Sequence, residues 1–195
     1  LASIVQINPP GSCAYDVGSL VAYVPLAGIC AHEASVLPGH VFFGSLKRHV
    51  HSFQSGDVLL PIIASGLAGN KIAQVDAQWP HGLCSPEIAV LRVDDAVVHP
   101  RFLLHWLRQQ GAPALLPLLR GTTIQRIGID DLLQLEMPLP PLRQQALCAQ
   151  LMDVALAQRK VSERYLRNAE QMIPAVWRQA MRLMDGQPHH IAGAG

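Results

Sequence analysis

Hydrophobic positions come in short runs divided by turn formers over the first part of the chain, and step at helical intervals over the last part. Leu1 to about Ile7 alternates weakly and stops at the turn Asn8-Pro9-Pro10-Gly11. Val21-Ala22-Tyr23-Val24-Pro25-Leu26 and Val41-Phe42-Phe43 read as strands. Phe53-Gln54-Ser55-Gly56-Asp57 predicts a turn leading into the apolar run Val58-Leu59-Leu60-Pro61-Ile62-Ile63-Ala64, read as a buried strand. Ser65-Gly66-Leu67-Ala68-Gly69-Asn70 is expected to form a flexible loop, with Lys71-Ile72-Ala73-Gln74-Val75 as the hairpin partner. Glu87-Ile88-Ala89-Val90-Leu91-Arg92-Val93 is the clearest strand.

The pattern then changes. Pro100 opens a helix through Gln110, with Phe102, Leu103, Trp106 and Leu107 on one face and Gly111 closing it. Pro113 and Pro117 fragment the next apolar segment, and Asp130 is expected to cap a short helical turn through Leu135. Glu136-Met137-Pro138-Leu139 is extended, since a residue before proline avoids the helical region. From Pro141 a long helix follows. Leu147, Leu151, Val154, Gln158, Val161 and Tyr165 step by four and three, a coiled-coil seam with one polar position. Ala169, Met172, Val176, Ala180 and Leu183 continue in a shifted register, and Pro174 is expected to kink or interrupt the helix. At ~1.5 Å per residue such a helix extends about 65 Å, and an isolated helix in water needs a partner for its stripe. The expectation is an α+β chain. A β-rich domain with short helices occupies 1–141, a long coiled-coil-forming helix 142–184, and a disordered tail 185–195.

With 195 residues, 50% hydrophobic, the chain can bury a core, which excludes intrinsic disorder. Its longest breaker-poor apolar run, 58–64, is far short of the ~20 residues of a membrane span. Leu1-Ala2-Ser3-Ile4 lacks the basic start and apolar centre of a signal peptide. Cys13, Cys30, Cys84 and Cys148 form no C-x-x-C pair and read as reduced thiols in a cytoplasmic protein. The net charge of +1 is unevenly spread. Residues 1–141 hold 8 Lys and Arg against 10 Asp and Glu, a net of −2, whereas 142–184 hold 7 against 3, a net of +4. Any nucleic-acid contact in the first part must come from a local cluster rather than from the overall field.

Several segments carry a family likeness through their order and spacing. They are Ser3-Ile4-Val5-Gln6-Ile7-Asn8-Pro9, Tyr23-Val24-Pro25-Leu26, Ser55-Gly56-Asp57-Val58-Leu59-Leu60 and Gly69-Asn70-Lys71. Further on come Ser85-Pro86-Glu87-Ile88-Ala89-Val90-Leu91, Pro100-Arg101-Phe102-Leu103 and the most telling, Met137-Pro138-Leu139-Pro140-Pro141-Leu142-Arg143-Gln144-Gln145. Ile173-Pro174-Ala175-Val176-Trp177-Arg178-Gln179-Ala180-Met181 completes the set. From Leu1 to about Met184 the chain resembles one half of the DNA-specificity subunit of Type I restriction–modification systems. The resemblance implies a target-recognition domain followed by a helical spacer, in a family whose full-length members carry two such units with antiparallel helices. One unit implies either a half-subunit that forms a homodimer or a fragment of a longer chain. The implied partners are double-stranded DNA, an adenine methyltransferase subunit and a restriction subunit. S-adenosylmethionine, ATP and Mg²⁺ would belong to those partners, with no cofactor in this chain, whose sequence has no phosphate-binding glycine loop or methyltransferase motif.

Against that likeness, three clusters are candidates for DNA contact. Lys47-Arg48-His49-Val50-His51 is the densest basic cluster of the first part, with Arg48 able to address guanine, or else a solvated turn. His49 and His51 would point the same way on a strand, but no third ligand is near, so no metal site is assigned. Asn70-Lys71 follows a glycine-rich stretch that lets backbone approach a phosphate, or is an ordinary hairpin turn. Arg120-Gly121-Thr122-Thr123-Ile124-Gln125-Arg126 gathers donors suited to phosphates and base edges, or anchors the next helix. Asp94-Asp95 and Asp130-Asp131 fit helix capping better than acid–base catalysis, Cys148 is expected to be buried packing, and His105 and Trp106 to be core. No catalytic constellation is visible. Leu147, Leu151, Val154, Val161 and Tyr165 are the dimerisation candidates. The expected function is a non-enzymatic DNA-specificity subunit directing a methyltransferase and restriction subunit to a bipartite target. The alternatives are a regulatory or degenerate homologue that pairs through its helix without reading DNA, and a specificity domain detached from a single-chain methyltransferase.

Overall fold

A computed structural model describes residues 1–10, 15–16, 18–43 and 50–185. The fold is mixed α+β, with sheets and short helices followed by a long C-terminal helix. One sheet runs in the order β1 (Val5–Ile7), β10 (Ile88–Val93), β7 (Val58–Pro61), β8 (Ala73–Gln74), every neighbour antiparallel. A second runs β5 (Gly39–Phe42), β2 (Leu20–Val24), β9 (His81–Cys84), β6 (His51–Gln54), with β2 and β9 parallel. β3 (Ile29–Cys30) and β4 (Ser35–Val36) form a small hairpin.

β7 and β10 explain why their segments read as continuous apolar runs. Leu59, Ile88 and Val90 share one buried cluster with Val24, Phe53 and Cys84 of the second sheet. Alternation along a strand sends Val58, Leu60, Ala89 and Leu91 to the other face, where they too are fully buried. α2 (Pro100–Trp106) packs against β7 and β8, and Leu103, Leu104 and Leu107 are fully buried. Leu104 rather than the half-buried Phe102 completes that face. Burial of Cys84 in the core pushes its thiol up to about 12, so it behaves as a small hydrophobe. At the entrance to β7, Asp57 is almost wholly buried and takes a bidentate pair from Arg92, Nε to Oδ1 at 2.8 Å and Nη2 to Oδ2 at 2.7 Å. Hydrogen bonding to Asp57 raises the Arg92 pKa above its ordinary value.

Several local expectations are corrected. The strand beginning at Val58 ends at Pro61, and Ala64–Ala68 forms a short helix, α1, where a flexible loop was expected. Lys71–Val75 does return beside β7, pairing Ala73 with Leu59. A Cβ on Gly66 would lie 2.4 Å from the Pro61 side chain, so this glycine permits close packing rather than loop freedom. Beyond α2 the chain continues through a π-helical turn, Leu107–Gly111, then α3 (Ala112–Leu115) and a 3₁₀ turn, Leu116–Leu118. α4 (Ile129–Gln134) is capped at Gly128 and not at Asp130, which lies in its first turn with Asp131. Asp94 closes a turn by accepting the Ala96 N–H at 3.0 Å, some residues before α2, and so caps no helix.

α5 (Leu142–Asp185) is one helix of 44 residues that continues through Pro174, so of the expected kink or interruption the interruption does not occur. Proline removes one helical hydrogen bond there without ending the helix. Residues 186–195, and with them most of the expected tail, lie outside the described residues. The chain divides into two compact units, Leu1–Asp153 and Val154–Gly195, so the first turns of α5 belong to the first unit. They are held there by Gln145, 1% exposed, whose amide oxygen accepts the His99 N–H at 2.8 Å and whose nitrogen donates to Val97 and Pro140 carbonyls. Cys148 on this stretch is exposed, contrary to the expected burial, because it borders an open pocket beside Phe102, His105 and Trp106 instead of packing into the core. Among the described residues no helix is long and apolar enough to cross a membrane.

Candidate nucleic-acid interface

The segment 120–126 is a tight hairpin loop. Arg120 and Arg126 exchange backbone hydrogen bonds, N–H to carbonyl at 3.0 and 2.8 Å, and close the loop at its base. Gly121 sits at φ +117°, a conformation that side chains rarely adopt, and a Cβ there would meet the Ile124 carbonyl oxygen at 2.8 Å. The base of the loop is tied to the end of β7. Ala64 donates to the Gln125 carbonyl at 3.1 Å, and Ile127 donates to the Ile62 carbonyl at 2.8 Å. Thr122, Thr123 and Gln125 are exposed, Arg126 is half-buried, and Ile124 is 53% exposed among them.

Arg120 reaches from the loop to α4. Its Nη2 donates to Asp131 Oδ1 at 3.0 Å, with the arginine side chain 75% and the aspartate side chain 12% exposed. The other Asp131 oxygen accepts the Gly128 N–H at 3.2 Å. One carboxylate thus serves as helix cap and arginine anchor together. Sequence reasoning singled out Arg120 but gave Asp131 only a capping role.

Asn70 and Lys71 lie one short helix away from this loop, at the far end of α1. Asn70 adopts φ +48° and turns its amide inward, Nδ2 donating to the Arg108 carbonyl at 3.3 Å. Lys71 is half-buried, with Nζ 3.4 Å from the Leu26 carbonyl oxygen. What holds this turn is Arg108, which sequence reasoning missed. Its Nη1 donates to the Asn70 and Ile72 carbonyls at 3.2 and 2.9 Å, and its Nη2 to the Ala31 carbonyl at 2.6 Å. The available signal was an arginine directly after the mostly apolar stretch Leu103-Leu104-His105-Trp106-Leu107. Two of the three clusters therefore hang from the same β7–α1 segment. Of the third, Lys47, Arg48 and His49 lie outside the described residues, and His51 begins β6 of the other sheet, half-buried.

On α5 the seam residues are uncovered: Leu147, Leu151, Val154, Val161 and Tyr165 are between 56% and 73% exposed. Within the second unit Tyr165, Ala169, Met172, Ile173, Val176, Trp177 and Ala180 line an apolar groove of about 460 Å³, in the shifted register read from the sequence. The first unit thus carries a loop rich in hydrogen-bond donors, and α5 carries an exposed apolar stripe.

This combination defines a structural class. The chain is a structural match to HsdS specificity subunits of type I restriction–modification systems, over about half of their length. Against the HsdS subunit from Thermoanaerobacter tengcongensis the TM-score is 0.69 at 26% identity, covering 92% of this chain and 46% of that one. A chain from a structure on complex assembly and conformational transition of the type I R-M system gives a TM-score of 0.69 at 23% identity, with the same coverages, and shares the fold. No family model matches the chain, and no curated protein does.

Proposed function

We propose that the chain is a non-catalytic, sequence-specific double-stranded DNA recognition subunit that directs an adenine methyltransferase, and a restriction subunit, to a bipartite target. The observation that carries this reading is the match over 92% of the chain to one half of HsdS specificity subunits, at 26% identity in one case. Support also comes from the exposed donor-rich loop 120–126, whose residues suit phosphates and base edges. S-adenosylmethionine, ATP and Mg²⁺ are assigned to the partner subunits.

In this reading α5 supplies the second half of the assembly. Its exposed seam pairs with the same helix of a second copy, or with a corresponding helix in a longer chain; in the dimer, two domains related by a two-fold axis read inverted half-sites across an unread spacer. The test is methylation-site mapping of DNA from cells carrying the chain with its methyltransferase. A bipartite motif, palindromic for the homodimer, that disappears when the chain is deleted is the expected result. An unchanged methylation pattern overturns the proposal and favours a homologue that pairs without reading DNA, a reading kept in view by the net −2 of residues 1–141.

A further inference from the structure

Arg120 and Asp131 together point to a more specific role within this DNA reading, on which the inference rests. We propose that Asp131 is a positioning residue that orients the Arg120 guanidinium to read the edge of a guanine. The Arg120 backbone is fixed on both sides by its exchange with Arg126, at 3.0 and 2.8 Å. Its guanidinium is held by one nitrogen on Asp131 at 3.0 Å, and Asp131 is itself anchored by Gly128 at 3.2 Å. The side chain nonetheless stays 75% exposed, so an oriented fork of remaining N–H groups faces solvent. An exposed ion pair contributes little to stability. Its consequence here is to restrain a long side chain before any ligand arrives, which lowers the entropy lost on binding.

The charge balance selects the ligand. Arg120 and its cross-loop neighbour Arg126 are balanced by Asp131 and Asp130 in the first turn of α4, so the site is neutral overall and has little net Coulomb attraction for a phosphate. A guanine edge is uncharged and offers N7 and O6 as two coplanar acceptors that match the fork of an arginine. A lysine ammonium presents no such fork.

The test uses the full chain assembled with its methyltransferase, and measures binding to the mapped target, a scrambled duplex, and targets in which each guanine is replaced in turn by 7-deazaguanine. One replacement is expected to weaken wild-type binding roughly tenfold. Arg120→Ala is expected to lose about as much on the target, to become indifferent to that replacement, and not to be rescued by Arg120→Lys. Asp131→Asn keeps an oxygen for the Gly128 N–H, so it should fold as wild type by thermal melting. It should still reduce discrimination against the same 7-deazaguanine, and add no further loss when combined with Arg120→Ala. Equal losses on target and scrambled duplexes, no sensitive guanine, or additive effects of the two substitutions overturn the inference while leaving the DNA reading intact. A wild-type complex with no sequence preference overturns both.

Discussion

Asp153 of α5 and His105 of α2 lie 2.7 Å apart, carboxylate Oδ1 to imidazole Nε2. Arg101 binds the same carboxylate through both Nε and Nη2. Burial lowers the His105 pKa below its ordinary 6.5 and outweighs the hydrogen bond and charge of Asp153, with Arg101 and Arg108 pushing the same way. Burial alone would raise Asp153, but the hydrogen bonds and charges of Arg101 and His105 more than offset it and hold the carboxyl below 3.8. A neutral His105 thus donates to an ionised Asp153.

Both shifts make acid destabilising. The folded state binds fewer protons at His105 than the unfolded chain does, so its contribution is complete above about pH 6.5 and declines as the pH falls from there toward the folded value. The Asp153 contribution persists to lower pH and is lost below 3.8, as the pH falls through its own folded value. Urea midpoints measured from pH 8 to pH 5 should fall with pH in the wild type and fall less in His105→Gln. Equal slopes would show that His105 does not set this dependence.

Arg108 satisfies three backbone carbonyls from a position only 8% exposed. Arg108→Met keeps the apolar stem and takes the Arg108 donor from the carbonyls of Ala31 and Ile72, while the Asn70 carbonyl keeps the Ile72 N–H at 2.9 Å. The expected loss is about 2–4 kcal/mol, read by denaturant unfolding, with faster amide exchange in the 69–73 turn. A change below about 0.5 kcal/mol would place the anchor of that turn elsewhere.

Self-association through α5 is tested at its exposed seam. Leu151 is 62% and Val154 57% exposed, so replacing both with Asp should leave the folded chain intact. In a paired helix the same change puts unpaired carboxylates into the interface and costs several kcal/mol. Sedimentation should show a dimer for the wild type and a monomer for the double variant. A monomeric wild type well above micromolar concentration rules out this pairing.

DNA contacts in the assembled complex should separate by type. Lys71→Ala should weaken all duplexes alike and reduce the salt dependence by about one unit of slope. Arg126→Ala should cost roughly 1–3 kcal/mol for the target alone. A salt titration with target and scrambled duplexes distinguishes the two, and equal losses for both variants on both duplexes contradict this division.

Wherever local pattern and tertiary packing demand the same thing, the sequence was sufficient. Ile88–Leu91 is apolar throughout because both of its faces are covered, and the four-three steps from Leu147 to Tyr165 leave a helix as the way to align them. The α+β order and the residue types of the donor-rich loops followed from the chain alone. α1 did not, because Gly66 and Gly69 read as loop formers until Pro61 is seen against Gly66. Nor did the roles of single polar residues. Asp131 meets Arg120 from 11 positions away, Arg108 reaches back to Ala31 across 77, and Gln145 and Asp153 close on α2 and its approach across 46 to 52. Hydrophobic periodicity is a property of neighbours along the chain and survives without the fold. A hydrogen bond between distant side chains exists only once the packed strands and helices have brought donor and acceptor within about 3 Å.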